Sequence, residues 1–278
     1  MPAKRKQIDR RWLFLIIFIC VAIPLVFTIG LPITVSKNAE KVHDFIDKTP
    51  ANSRAIISFD YDPGSKPELH PMAKALVKHC FERKIKVIFT ALWPMGVSMA
   101  EDIISQLIDD FPSLNYGVDY VNLGFKAGGM VTIQAMGKNI KAIFPKDMSG
   151  ISIDELPIMD DIKNFNNISF VFSLSAGDPG LKQWVQVAHD SYGCRTSGGV
   201  TGVSITGFLP YVNEQEQLSG LLGGLKGAAE YEKLVNAKGT ATKGMDAQSL
   251  AHLIIIIFII IGNISFWRNK KLSREVNK

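Results

Sequence analysis

The stretch from Ser58 to Pro71, SFDYDPGSKPELHP, sets Asp60 and Asp62 two residues apart at the end of an apolar run, then Glu68 and His70 two apart before a proline. Carboxylate oxygens with one imidazole suit Mg2+, Ca2+ or Mn2+ better than zinc. The spacing matches no established metal loop. Asp62-Pro63-Gly64-Ser65 is also good turn chemistry, and Pro71 is a favourable first helical residue. The same residues therefore read as the floor of a site or as a charged turn entering a helix.

Three further loops carry chemistry-bearing residues after apolar runs: Trp93-Pro94-Met95-Gly96, Gly124-Phe125-Lys126-Ala127-Gly128-Gly129 and Ser175-Ala176-Gly177-Asp178-Pro179-Gly180. If the runs are parallel strands, all four loops meet at the carboxyl edge of one sheet, where open α/β sheets bind ligands. The candidate ligand-binding residues are accordingly Asp60, Asp62, Glu68, His70, Trp93, Lys126 and Asp178. No G-x-S-x-G elbow, H-E-x-x-H pair or Walker loop occurs. His79 next to Cys80, and His189 near Cys194, leave a thiol–imidazole pair open, but neighbours on a helix point apart.

The apolar strand ending Asp60-Tyr61-Asp62 resembles the first motif of the haloacid dehalogenase superfamily. That resemblance implies a nucleophilic Asp60, a general acid at Asp62, and Thr90 in the second motif. It implies Lys126 or Lys146 as the lysine and a metal, Mg2+, held by Asp60, Asp62 and Asp178. Pro63-Gly64-Ser65 stands where that family has Gly-Thr, and the acidic motif has one aspartate, Asp178, where two are usual.

The elements that would position these residues follow from hydrophobic periodicity. Runs rich in Ile, Val and Phe at 55–59, 86–92, 120–123, 168–174 and 199–205 predict buried strands. Helical patterns at 72–83, 98–111, 130–143 and 181–191 alternate with them. This alternation predicts an α/β fold, a Rossmann-like three-layer sandwich with a mostly parallel sheet. The segment LSGLLGGLKGAAEYEKLV, from Leu218 to Val235, reads as a helix whose Gly220, Gly223, Gly224 and Gly227 form a smooth strip. Each mid-helix glycine costs ~1 kcal/mol relative to alanine. Close packing, within the chain or between chains, would offset that cost.

Charge and hydropathy bound the location. The net charge is +5, but ten of the 31 basic residues lie at the two ends, and the body has a small acidic excess. This distribution gives no nucleic-acid footprint. Residues 12–35 are almost wholly apolar, and 250–267 nearly so, with Trp12 and Trp267 at their outer ends. The first run is longer than a signal-peptide core and is followed by Ser36-Lys37-Asn38 rather than a cleavage site, so it reads as an uncleaved anchor. The expected plan is a cytoplasmic basic tail at 1–11, a transmembrane helix at 12–35, a stalk at 36–53, an α/β domain at 54–206, a glycine-rich helical extension at 207–248, a second transmembrane helix at 249–267 and a basic tail at 268–278. The basic tails place both termini in the cytoplasm and residues 36–248 outside it, in a cell membrane. Cys80 and Cys194 are the candidates for an exported disulfide, two buried thiols being the simpler reading.

The expected function is a ligand-binding or assembly component of a membrane complex, a homo- or hetero-oligomer joined through the Gly220–Gly227 helix. The alternative is an extracytoplasmic, metal-dependent phosphohydrolase using Asp60 and Asp62 with Lys126. The sequence does not decide whether the chain is an enzyme.

Overall fold

The computed structural model describes residues 10–237 and 239–276. The first nine residues of the amino-terminal tail, and Asn277 and Lys278 of the other tail, lie outside the described residues. The chain divides into two compact units, one spanning Ile33–Ala241 and the other combining Met1–Pro32 with Thr242–Lys278.

The larger unit is an α/β fold. Six strands, β1 (Arg54–Asp60), β2 (Lys86–Ala91), β3 (Tyr120–Phe125), β4 (Phe170–Ser175), β5 (Thr196–Val200) and β6 (Leu221–Gly223), form one sheet in the order β3-β2-β1-β4-β5-β6. Every pairing is parallel, and the order fits a Rossmann-like arrangement. The continuous apolar runs of β1, β2 and β4 are the mark of strands covered on both faces. One covering layer holds α2 (Lys37–Asp47), α3 (Lys66–Glu82), α4 (Gly96–Leu107) and α9 (Gly224–Leu234), which pack on one another. The other holds α5 (Met130–Lys138), α6 (Ile140–Ile143) and α7 (Leu181–Trp184), the last continuing as a π-helical turn, Val185–His189. Strand alternation sends Ile56, Ser58 and Asp60 toward this second layer, whose core includes Ile88, Val121, Ile133, Met136 and Trp184. Ala55, Ile57 and Phe59 face the other way, with Phe59 edge-on to Phe89.

Several elements depart from the expected boundaries. The first helix after β1 starts at Lys66, with Pro67 in its opening turn, so Glu68 and His70 are helical rather than loop residues. The helical pattern at 130–143 breaks at Asn139, which ends α5 and caps α6 through its side chain. The last predicted strand lies earlier, at Thr196–Val200, and Ile205–Asn213 is a helix, α8. Residues 37–47 are not a free stalk. Ala39, Val42, Phe45 and Ile46 bury one face of α2 in the larger unit.

The expected glycine-rich helix over 218–235 is part strand. Leu221–Gly223 is β6, and the helix α9 starts only at Gly224, where φ is +58°. The smooth strip is filled by the chain itself. A Cβ on Gly220 would stand 2.6 Å from Val42 Cγ2, 2.9 Å from Val42 N and 3.0 Å from Asn38 O, all on α2. Gly223 meets Ile205, and Gly227 lies against the Leu222 backbone. The glycines let α2 and α8 close on β6, which is why they are there rather than on a free surface.

In the smaller unit, α1 is Arg10–Val26, 17 residues long. At 1.5 Å per residue that is about 26 Å, short of a ~30 Å hydrocarbon core. The expected transmembrane helix over 12–35 is therefore corrected. Composition registers apolarity but not helix continuity, which ends at Val26, ahead of the turn at Gly30, φ +73°. The amides of Ile29, Gly30 and Leu31, released from the helix, donate to the carboxylate of Asp246 at 3.1, 2.8 and 2.9 Å. Asp246 is fully buried. Among the described residues one helix is long and apolar enough to cross a membrane by length and composition, Thr240–Arg268 within α10 (Thr240–Val276).

Substituting Gly220→Ala should destabilise the larger unit by about 1–3 kcal/mol, because the new methyl meets α2 backbone atoms that cannot swing aside. Chemical denaturation monitored by circular dichroism reads this directly. An unchanged midpoint would mean that α2 does not pack on β6 as described.

Candidate functional site

The carboxyl ends of β1 and β4, where the strand order switches direction, are built around Asp60. Ser58, two residues earlier, shares its face, and Ser173 is paired with Ser58 in the parallel register. The Asp60 Oδ1 accepts from Ser58 Oγ at 2.6 Å and from the Leu92 amide at 2.9 Å. Its Oδ2 accepts from Ser173 Oγ at 2.8 Å and from Trp184 Nε1 at 3.0 Å. Neither oxygen reaches solvent. Burial raises the Asp60 pKa to about 6, against the opposing pull of its four donors, Ser58 first. Asp60 thus ties β1 to β4, to the segment after β2 and to α7.

The other candidates are held apart from it. Asp62 accepts from the Gly64 amide at 3.0 Å and opens a short 3-10 turn. Glu68 accepts from the Gly202 amide at 2.7 Å, closing the first turn of α3 on the β5 loop. Glu68 and His70 are two residues apart on a helix and so lie ~200° apart around its axis. His70 is buried, its Nδ1 3.0 Å from the Tyr61 hydroxyl and its Nε2 3.2 Å from Asp102 Oδ2. Burial first, then Lys66, lowers His70 to about 4, against the pull of Asp102. The neutral ring therefore lies between the Tyr61 hydroxyl and Asp102, and Lys66 closes the chain by donating to Asp102.

Trp93 donates from Nε1 to the Pro179 carbonyl at 2.7 Å and lies over Gly177. A Cβ on Gly129 would stand 3.0 Å from Pro179, so the β3 and β4 loops also interlock. Asp178 is exposed and accepts from Gln183 Nε2 at 2.6 Å. Lys126 and Lys146 are exposed, whereas Thr90 is buried and donates to the Gly124 carbonyl at 3.3 Å. Asp60, Asp62 and Asp178 share no hydrogen-bond partner among these contacts. Among the described residues no three His, Cys, Asp or Glu side chains are grouped to hold a metal ion. Cys80 and Cys194 are buried free thiols.

The sheet thus brings the predicted loops to one edge, while their polar groups fasten the loops to one another. A cavity of about 280 Å³ lies elsewhere, beside α3, with His70, Lys74, Gln106 and Glu232 in its wall. Sequence reasoning missed Ser58, Ser173 and Trp184. The Ser-x-Asp spacing was a usable signal, since residues two apart on a strand share a face. Nothing local marks Trp184.

Asp60→Asn is expected to cost about 1–3 kcal/mol at pH 7.5, because the amide NH2 must face a Trp184 or Leu92 donor that cannot turn. The pH dependence follows from the raised value. The folded state keeps its proton up to about pH 6 and the unfolded state only to 3.8, so the contribution is full below 3.8 and lost as pH rises through 6. Between pH 7.5 and pH 5 the parent should gain about 1 kcal/mol over the variant. Urea titrations at the two pH values measure both effects, and a pH-independent gap would contradict the assignment. In comparisons with known proteins, the chain matches no protein-family model and no curated protein.

Proposed function

We propose that this chain is a membrane-anchored assembly component whose Rossmann-like, extracytoplasmic domain docks a partner protein on the carboxyl edge of its sheet. The observation that carries this reading is the placement of exposed apolar side chains. Among the described residues of the larger unit, the large exposed ones are Met95, Val118, Met130, Val131, Met148, Ile151 and Val203. All but Val118 belong to segments at the strand carboxyl ends. Met95 follows β2, Met130 and Val131 open α5 after β3, and Val203 follows β5. Met148 donates its amide to Asn122 of β3, with Ile151 three residues on. Val131 is 69% exposed and Val203 90%. Isolated exposed apolar residues need no explanation, but their concentration on one edge does.

The second support is rigidity. The Trp93–Pro179, Glu68–Gly202 and Gln183–Asp178 hydrogen bonds fix the loops that carry the apolar groups. A surface already ordered loses less entropy when it is covered. The buried, four-fold bonded Asp60 serves that scaffold. Membrane anchorage rests on the span within α10 and on the basic residues at both ends of the chain. Confinement to a plane raises effective concentration against neighbours.

A photo-crosslinking residue placed at Val131 or Val203 in the full chain, in membranes of its native host, should give a discrete covalent adduct. The same residue at Lys74, on the outer face of α3, should give none. Val131→Glu with Val203→Glu should abolish adducts at Met95 while leaving the domain folded. Absence of adducts at both edge positions would sink the reading.

A further inference from the structure

Away from the carboxyl edge, the helix α2 is fastened by two histidines. His43 of α2 and His79 of α3 stack with ring centroids 4.8 Å apart and planes inclined by 21°. His79 Nδ1 is 2.8 Å from the Tyr231 hydroxyl of α9. The pair therefore sits where α2, α3 and α9 meet. His79 is 5% exposed by its side chain, and His43 25%.

The ionisable surroundings come from all three helices. From α2, Asp44 Oδ1 is 3.7 Å from His43 Nδ1, and Asp47 Oδ1 is 3.8 Å from His79 Nε2. From α3, Arg83 Nε is 3.5 Å from the same Asp47 oxygen, Glu82 acts on His79 through space, and Cys80 lies buried beside it. From α9 comes Tyr231. Burial raises the Cys80 thiol to about 12 and also raises the Tyr231 phenol, so both are neutral near pH 7. The strand β6, also packed on α2, brings no ionisable group, being Leu221–Gly223.

Asp44 and Asp47 lie toward solvent beside the rings, while the ring faces lie against each other. Two neutral imidazoles stack favourably; two imidazolium rings at this separation repel in a poorly solvated contact. We propose that the His43–His79 stack is an acid-released latch, holding α2 against α3 and α9 when neutral and freeing it when charge forms inside the contact. Release would uncover Ala39, Val42, Phe45 and Ile46 together with the face of β6 that they cover.

The His79 value agrees in sign. Burial first, then His43, lowers it to about 4, against the pull of Asp47 and Glu82. The closed state therefore refuses a proton that the open state accepts near 6.5. Its advantage is full above pH 6.5 and is lost as pH falls toward 4, by up to about tenfold per pH unit.

Hydrogen exchange of the full chain in detergent tests the latch, with α4 amides as internal reference for intrinsic exchange. Between pH 7.5 and pH 4.5, protection of the α2 amides should fall at least about tenfold relative to α4. In His43→Phe, which keeps a stacked ring but no charge, that selective loss should be clearly smaller than in the parent, the part due to the burial of His79 remaining. Equal loss in parent and variant, or no selective loss in the parent, would overturn the proposal. If His43→Phe does not fold, His43→Gln replaces it. Failure of both to fold would make His43 a packing residue and overturn the latch as well.

Discussion

The larger unit depends on one buried carboxylate having every donor it needs. Desolvating Asp60 without partners would be prohibitive. Two hydroxyls, an indole and a backbone amide meet that demand at the point where the sheet reverses its strand order. Each donor comes from a different stretch of chain, so satisfying the charge fixes four segments relative to one another. Removing the carboxyl group and keeping the donors would leave polar groups stranded in an apolar core, which is why such a centre is all or nothing. Loop closure above it, through Trp93 and Pro179, builds on a floor that is already set.

The same arrangement accounts for how a promising set of acidic residues becomes scaffold. Asp60, Asp62, Glu68 and His70 are close in sequence, yet a strand end, a turn and a helix start send them in different directions. Proximity along the chain converges on a site only if the local geometry turns the side chains the same way. Here each one finds a nearby amide, hydroxyl or carboxylate first.

Much of the fold was legible because strand burial leaves a strong local signal. The runs around Ile57, Phe89, Val121 and Phe172 are too apolar and β-branched to be anything but buried strands, and they are. The signal failed where structure is set by contacts distant in sequence. Leu221–Gly223 carries helical periodicity, and only pairing with Gly198–Val200 makes it a strand. Phe27 to Pro32 is apolar enough for a membrane helix, but a glycine turn and a carboxylate more than two hundred residues away take over its amides. For the candidate site, the edge was predicted from topology, while the indole of Trp184 and the pairing of His70 with Asp102 were not, since neither has a marker in the local sequence.

The two borders of the sheet have a further consequence. On one border, β6 is three residues long and is flanked by α2 and α8. On the other, the Met148 amide already occupies the Asn122 carbonyl of β3, and the stretch around Gly117 is bonded to Ile158. One border is thus very short and the other partly occupied. Such borders make poor templates for an added extended peptide or a neighbouring sheet.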